Sequence, residues 1–325
     1  MIDNYGRNIN YFRISVTDRC NLRCRYCMPE EGIDKIGHED ILRLEDFARI
    51  VKAATQAGIR KVRLTGGEPL VRKNIVQLVN YIAEIPMIDD IAVTTNGILF
   101  PVMAKQLKAA GLNRINFSLD SLNEDKFRYI TRHDGLGKVK TAIFKALELG
   151  LNPVKINTVI IRGFNDDEII DFVRLTHDYP LHIRFIEFMP IGDLLFWDKG
   201  RLMDVKAIKD IAEQHFALKA VSNIQGNGPA IYYKTEGGKG SIGFISPMSN
   251  HFCAQCNRIR MTADGMLRGC LYDKKETDLK PALSNPDDQE LLRLILQTIK
   301  AKPARHLMND GWGEENQRKM YQIGG

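Results

Sequence analysis

The stretch Phe12-Arg13-Ile14-Ser15-Val16-Thr17-Asp18-Arg19-Cys20-Asn21-Leu22-Arg23-Cys24-Arg25-Tyr26-Cys27 begins as a strand and ends as a metal-binding loop. The apolar, β-branched run over 12–17 has the composition of a buried strand. The cysteines that follow are spaced C-x3-C-x2-C. Three thiolates on one loop can ligate three irons of a four-iron cluster and leave the fourth iron open to a small molecule. A structural zinc site is normally closed by a fourth ligand, and none sits at suitable spacing here.

Moving outward, strand-like runs recur at 61–65, 91–95, 114–119, 154–161 and 182–188. Amphipathic stretches lie between them. In the first, Phe47, Ile50, Val51 and Ala54 return at helical spacing and Gly58 follows as a C-cap. Segments 74–85, 101–110, 138–149 and 166–177 behave alike, with Pro101 suited to a helix N1 position. Six βα units in a row predict an α/β fold with a parallel sheet, which right-handed crossovers curl into a partial barrel. A flat doubly wound sheet is the alternative. In parallel barrels the chemistry sits at the C-terminal ends of strands. The cluster loop, Thr65-Gly66-Gly67-Glu68-Pro69, Thr94-Thr95-Asn96-Gly97, Ser118-Leu119-Asp120 and Glu187-Phe188-Met189-Pro190 all fall there.

From about Leu218 short β-like pieces replace the βα alternation, and Ala263-Asp264-Gly265 reads as a hairpin turn. A helix is expected over 289–299. The reading is therefore two parts, a barrel over 1–217 and a C-terminal subdomain over 218–325 that closes the open side. The second part carries the remaining cysteines, Cys253, Cys256 and Cys270, spaced C-x2-C-x13-C. A zinc ribbon is the plain reading of this triad. It lacks a fourth ligand, and His251 lies too near Cys253 to serve. The other reading is a second cluster with its own open iron.

The chain of 325 residues is 44% hydrophobic and 26% charged, an ordinary globular composition. No run approaches 18 apolar residues, and the first residues lack the apolar core of a secretory signal. Clustered thiols suit a reducing cytosol better than a disulfide scaffold. The net charge of +6 suits a polyanionic substrate as well as nucleic acid and does not choose between them.

The C-x3-C-x2-C loop with Tyr26 before its last cysteine resembles the signature of the radical S-adenosylmethionine superfamily. That resemblance implies a (β/α)6 TIM-like partial barrel and a [4Fe-4S] cluster on Cys20, Cys24 and Cys27. It also implies S-adenosylmethionine on the open iron, cleaved reductively to a 5′-deoxyadenosyl radical. Phe252 to Cys270, together with the terminal Gly324-Gly325, resembles the C-terminal motif of the GTP 3′,8-cyclase family of molybdenum cofactor biosynthesis. The resemblance runs from about Asn8 to the C-terminus and is weakest over 193–245 and 272–320. It implies a second [4Fe-4S] cluster on Cys253, Cys256 and Cys270, and GTP as substrate. It assigns Tyr26, Gly67, Ser118 and Met189 to S-adenosylmethionine. It assigns Arg13, Arg63, Thr94, Lys155, Arg258 and Arg260 to GTP. Arg13, Arg258, Arg260, Gly324 and Gly325 form the expected catalytic set.

Residue chemistry alone supports the two C-terminal arginines best. A triphosphate carries about four negative charges and calls for several cations. Arg258 and Arg260, at i and i+2 on a strand, project to one face just past a cysteine. Further expectations are a cytoplasmic location, a low-potential electron donor and a downstream pterin-forming enzyme, cyclic pyranopterin monophosphate synthase. A homodimer, and no nucleic-acid or membrane partner, complete them. A radical peptide-modifying enzyme is the second reading, though that class usually has more C-terminal cysteines. A zinc-stabilised nucleic-acid binder is the third, and it requires a concentrated basic face and closed four-ligand sites.

Overall fold

A computed structural model describes residues 1–33, 37, 39–191, 196–222, 224–226, 228–306 and 318–324. The first part alternates as the sequence predicts. It runs β1 (Tyr11–Ser15), α1 (Leu44–Gln56), β2 (Lys61–Thr65), α2 (Ile75–Ala83), β3 (Asp90–Thr95), α3 (Phe100–Ala109) and β4 (Arg114–Ser118). It continues with α4 (Glu124–Thr131), α5 (Leu136–Glu148), β5 (Val154–Ile160), α6 (Ile169–Asp178), β6 (Leu181–Glu187) and α7 (Val205–Glu213). The strands β7 (Leu218–Val221), β8 (Ile231–Thr235), β9 (Ser241–Ile245), β10 (Arg258–Met261), β11 (Met266–Arg268) and β12 (Thr277–Asp278) come next. The helices α8 (Lys280–Leu283), α9 (Gln289–Lys300) and α10 (Met320–Ile323) follow.

All twelve strands belong to one sheet, in the order β12-β11-β10-β1-β2-β3-β4-β5-β6-β9-β8-β7. β1 to β6 are parallel, as in a partial TIM-like barrel. The C-terminal part does more than cover the barrel. β10 pairs in parallel with β1, and β9 pairs in parallel with β6. A six-stranded parallel sheet ends in two rows of unpaired N–H and C=O groups, and these strands satisfy both rows. The second cysteine triad therefore rides on the sheet that carries the first.

Alternation along the strands separates two faces. Phe12, Ile14, Val62, Leu64, Val93, Phe117, Ile156 and Phe185 join one hydrophobic core with Phe47, Ile50, Leu78, Phe100, Val139 and Phe172 from the helices. Each such large side chain contributes roughly 1.5–3 kcal/mol by burial. The intervening residues are polar and equally buried: Arg13, Arg63, Asn116, Lys155, Arg184, Arg258 and Arg260. In register, Arg13 stands opposite Arg63 on one side and Arg260 on the other, and Asn157 stands opposite Arg184. A barrel lined with cations on its inner face is built to hold a ligand there.

At the N-terminal ends of the strands the polar residues are structural instead. Asp90 opens β3 and Arg114 opens β4, and the Arg114 Nε donates to Asp90 Oδ1 at 2.7 Å. Removing one partner of a buried pair leaves the other charge uncompensated, at about 3–5 kcal/mol. Asp90→Ala is expected to lose that much stability in denaturant unfolding. A loss under 1 kcal/mol would show that solvent already screens the pair.

Candidate active site

The first triad lies on the loop after β1. Its backbone turns tightly, with the N–H groups of Cys27 and Met28 donating to the Cys24 carbonyl at 2.8 and 3.1 Å. The loop docks on the end of α4, a helix that the sequence reading missed. Arg23 N–H donates to the Thr131 carbonyl and Arg25 N–H to that of Ile130, at 3.0 and 2.9 Å. Arg132 returns the contact by donating to the Arg23 carbonyl at 3.0 Å. Asn123 caps α4 by accepting from the N–H groups of Asp125 and Lys126 at 2.9 and 3.1 Å. An N-cap Asn before Glu124 and Asp125 was the available sequence signal.

The three thiols are unpaired, half-buried and within one another's field. Burial first, then Cys27 and Cys20, raises the Cys24 thiol well above its ordinary value. Burial and the Glu68 carboxylate push Cys20 up to about 11, and burial and Cys20 push Cys27 up to about 12. Three thiolates are disfavoured here unless a cation joins them, which is how metal-ligating thiols are held deprotonated. Among the described residues no group of three or more His, Cys, Asp and Glu converges on a single metal ion. A cluster that takes one thiolate per iron does not require that convergence, so the donor set fits an iron–sulfur cluster.

The 65–69 loop meets this loop directly. Gly67 N–H donates to the Thr17 carbonyl at 2.9 Å and Glu68 N–H to the Arg19 carbonyl at 2.8 Å. A Cβ on Gly67 would sit 2.4 Å from the Arg19 carbonyl oxygen, so only glycine permits this approach. The Glu68 carboxylate accepts from Leu70 N–H at 3.0 Å, Thr95 hydroxyl at 2.7 Å and Asn96 N–H at 2.7 Å. Burial pushes it up to about 7. Asn96 reaches onward to the Cys20 sulfur at 3.9 Å. Tyr26 hydroxyl donates to Asp120 at 2.6 Å, and burial raises Asp120 to about 6. Ser118 stands half-buried at the end of β4, across from Asn157.

The second triad frames a cavity that opens to solvent. Cys253, Cys256 and Cys270 are on its wall with Arg13, Arg63, Arg184, Arg258, Arg260, Lys302 and Met189. No carboxylate lies among the described residues that line it. Among the described residues, the Nε atoms of Arg63, Arg184 and Arg258 and the Asn157 side-chain amide oxygen are buried without a hydrogen-bond partner. Burial, then Arg260 and Arg63, holds the Arg13 guanidinium well below its ordinary value. Burial brings Arg63 and Arg260 down to about 10, and Arg184 adds to it at Arg63 and Arg258 at Arg260. Buried, mutually repelling cations with orphaned donors mark a site for a polyanion. Burial resists ionisation of Cys256, but Arg258 and Lys302 outweigh it and bring the thiol down to about 6. This donor set also fits a cluster.

Thr94 and Lys155 share the inner face but do not line the cavity. Lys155 Nζ donates to the Gln225 carbonyl at 2.6 Å. Arg184 and Lys302 belong to the wall and were not singled out from sequence. For Arg184 a signal existed: His182 and Arg184 alternate with apolar Leu181, Ile183 and Phe185 in β6, on the face shared by Lys155 and Asn157.

α10 lies between the two triads. The Tyr321 backbone hydrogen-bonds the Cys27 thiol, and Met320 lines the cavity. Arg260 Nη1 donates to the Gly324 carbonyl at 3.1 Å. Gly324 has φ +72°, and a Cβ there would fall 1.9 Å from Thr65 Oγ1. Glycine is thus required at 324 on both counts. Gly325 lies outside the described residues.

A partial barrel with three cysteines on the loop after β1 defines a radical S-adenosylmethionine enzyme, and the Radical SAM superfamily model matches residues 14–176. The Molybdenum Cofactor Synthesis C model matches residues 181–308. Proteins named GTP 3′,8-cyclase from Syntrophomonas wolfei, Desulforamulus reducens and Moorella thermoacetica are 67%, 56% and 51% identical, each over the full length of both chains. The chain belongs to the GTP 3′,8-cyclase family. Among solved structures, Streptococcus suis SuiB bound to S-adenosylmethionine aligns with a TM-score of 0.62 at 14% identity, over 97% of this chain and 77% of that one. The AdoMet-bound anSMEcpe structure aligns with a TM-score of 0.58 at 15% identity, over 90% of this chain and 83% of that one. These two likenesses bear on the fold alone. Among the described residues, no helix is long and apolar enough to cross a membrane.

Proposed function

We infer that this chain cyclises GTP to (8S)-3′,8-cyclo-7,8-dihydroguanosine 5′-triphosphate, the first step of molybdenum cofactor biosynthesis. The observation that carries this reading is the cavity wall, where three cysteines stand beside five buried arginines and, among the described residues, no carboxylate. When bound, the first cluster with S-adenosylmethionine supplies a carbon-centred radical that takes hydrogen from ribose, and the second cluster supplies an open iron for the guanine edge.

The chain's own residues do the rest. Arg258 and Arg260 project together from β10, and with Arg13, Arg63 and Arg184 they receive the triphosphate. Arg260 also holds the Gly324 carbonyl, which keeps the tail beside the bound nucleotide and excludes water. Gly325, proposed with Gly324 for the catalytic set, lies outside the described residues. Tyr26, Gly67, Ser118 and Met189 are proposed for S-adenosylmethionine. The meeting of the 65–69 loop with the first triad, and Met189 on the cavity wall, support that set. Thr94 and Lys155 are proposed for GTP from their place on the inner face, and the Thr94 hydroxyl is buried without a partner among the described residues.

Lys155 yields a pH prediction. Burial, then Arg184, Arg114 and Arg63, brings its amine down to about 6. In the free protein it is neutral at pH 8, and a nearby triphosphate favours the ammonium. GTP binding at pH 8 is then expected to take up about one proton, and affinity to fall as pH rises above 6. Calorimetry in buffers of different ionisation enthalpy measures the uptake. Lys155→Met should lose it, and binding without proton uptake in the parent protein would contradict the assignment.

The division into 1–217 and 218–325 belongs to the same proposal, supported by the change from βα units to antiparallel hairpins after α7. So does a cytoplasmic location, which six unpaired thiols support. A low-potential electron donor and a downstream cyclic pyranopterin monophosphate synthase follow from the reaction, since one supplies its electrons and the other consumes its product. A homodimer is supported by β7, which ends the sheet on that side among the described residues. Anaerobic reconstitution followed by GTP, S-adenosylmethionine and dithionite tests the function. 5′-Deoxyadenosine should form only when GTP is present, and formation independent of GTP would overturn the substrate.

A further inference from the structure

Lys302 is 2% exposed, and its ammonium faces sulfur rather than a carboxylate. Its Nζ donates to the Cys256 sulfur at 3.5 Å and to the Gly269 carbonyl at 2.6 Å. The side chain is delivered by the end of α9, whose Leu291, Ile295 and Ile299 are buried. A Cβ on Gly269 would come within 3.1 Å of the Lys302 Cα, so the chain is small where the lysine crosses it.

The other side of Lys302 is clamped from the N-terminus. Arg7 donates to the backbone carbonyls of Lys302 at 3.4 Å, Pro303 at 2.8 Å, Ala304 at 3.2 Å and Cys253 at 3.0 Å. Its Nε is fixed by Asp3 Oδ2 at 2.6 Å, and both side chains are buried. One guanidinium therefore ties the segment that carries Lys302 to the loop that carries a cluster ligand. Nothing in the cyclisation itself uses Arg7 or Asp3.

We propose that Lys302 is a positioning residue for the second cluster, fixing the Cys256 thiolate by a charge-assisted hydrogen bond and holding that cluster's reduction potential up. The proposal rests on the second triad holding a cluster and does not depend on which substrate the cavity takes. Hydrogen bonds to ligating sulfur and nearby positive charge withdraw electron density from a cluster and favour its reduced state. Arg258 also acts on Cys256 from β10, while Lys302 reaches the same thiol from the α9 side, with its Nζ bonded to Cys256 and to the Gly269 carbonyl beside Cys270.

The test is an anaerobic redox titration of each reconstituted cluster without GTP, followed by electron paramagnetic resonance and iron analysis. Lys302→Met removes the charge at similar volume, and Lys302→Arg keeps it. The second cluster's potential should move to more negative values in Lys302→Met and stay near the parent value in Lys302→Arg, while the first cluster's potential is unmoved in both. If Lys302→Met takes up only half the iron while Lys302→Arg takes up all of it, the positioning role stands. An unmoved second potential in Lys302→Met, or an equal shift or equal iron loss in Lys302→Arg, would overturn the proposal and leave Lys302 as packing.

Discussion

Cys24→Ala will cleave no S-adenosylmethionine and form no cyclised product, while its iron content falls from about eight to about four per chain. Cys24 is central to the first triad, since its thiol is raised by the fields of both Cys20 and Cys27. Its carbonyl, not its side chain, receives the N–H groups of Cys27 and Met28. The loop is also tied to α4 by the N–H groups of Arg23 and Arg25 and by the side chains of Arg25 and Arg132, none of which involves the Cys24 thiol. Alanine therefore removes a metal ligand without removing what shapes the loop. Stability should change little, and the second cluster should keep its visible and magnetic signature. Retention of eight irons with active cleavage would show that the triad is not the ligand set.

Losing the two arginines of β10 should have the next largest effect. Arg258→Ala and Arg260→Ala each remove a hydrogen bond to a charged group, at about 1.5–3 kcal/mol, or roughly 10- to 150-fold in GTP affinity. The double variant should exceed either single one, though not as their sum, because the two share one ligand. Arg260→Ala also releases the Gly324 carbonyl, so product formation should fall further than affinity does. S-adenosylmethionine affinity should barely move. Stability offers a second signature. Burial, then the neighbouring Arg258 charge, brings the Arg260 guanidinium down to about 10, so the double variant should be as stable as the parent or more so. Unaltered GTP affinity in the double variant would make both arginines structural.

The barrel was legible because its strands bury apolar residues on the outer face while helices alternate with them at regular intervals. The run 61–65 coincides with β2, and 154–161 differs from β5 by one residue. The helices α4 and α7 and the four-residue edge strand β7 were not read from the sequence, although α7 carries Val205, Ile208, Ile211 and Ala212 at helical spacing after the N-cap Asp204. The continuation of the sheet through β9 and β10 was not legible either. Parallel pairing between residues 11 and 258, or 182 and 241, is a long-range register that no local pattern encodes.

At the site, cysteines and strand-end motifs stood out because their spacing is rare. Arg258 and Arg260 stood out because they follow a ligand at strand spacing. Lys302 and Arg7 could not be found that way, since their roles arise from where α9 ends and where the N-terminus crosses the second triad. The glycine at 67 was read as freedom to approach a ligand. The structure adds a second requirement, because the backbone of the cluster loop occupies the space a side chain would need.

The central claim is that GTP occupies the cavity walled by the second triad and presents its ribose to chemistry begun at the first. Turnover of GTP carrying deuterium at C3′ tests it most directly. Mass spectrometry should find deuterium in the 5′-deoxyadenosine formed, and a cyclised product that lacks it. 5′-Deoxyadenosine that is free of label, or formed equally without GTP, would contradict the account.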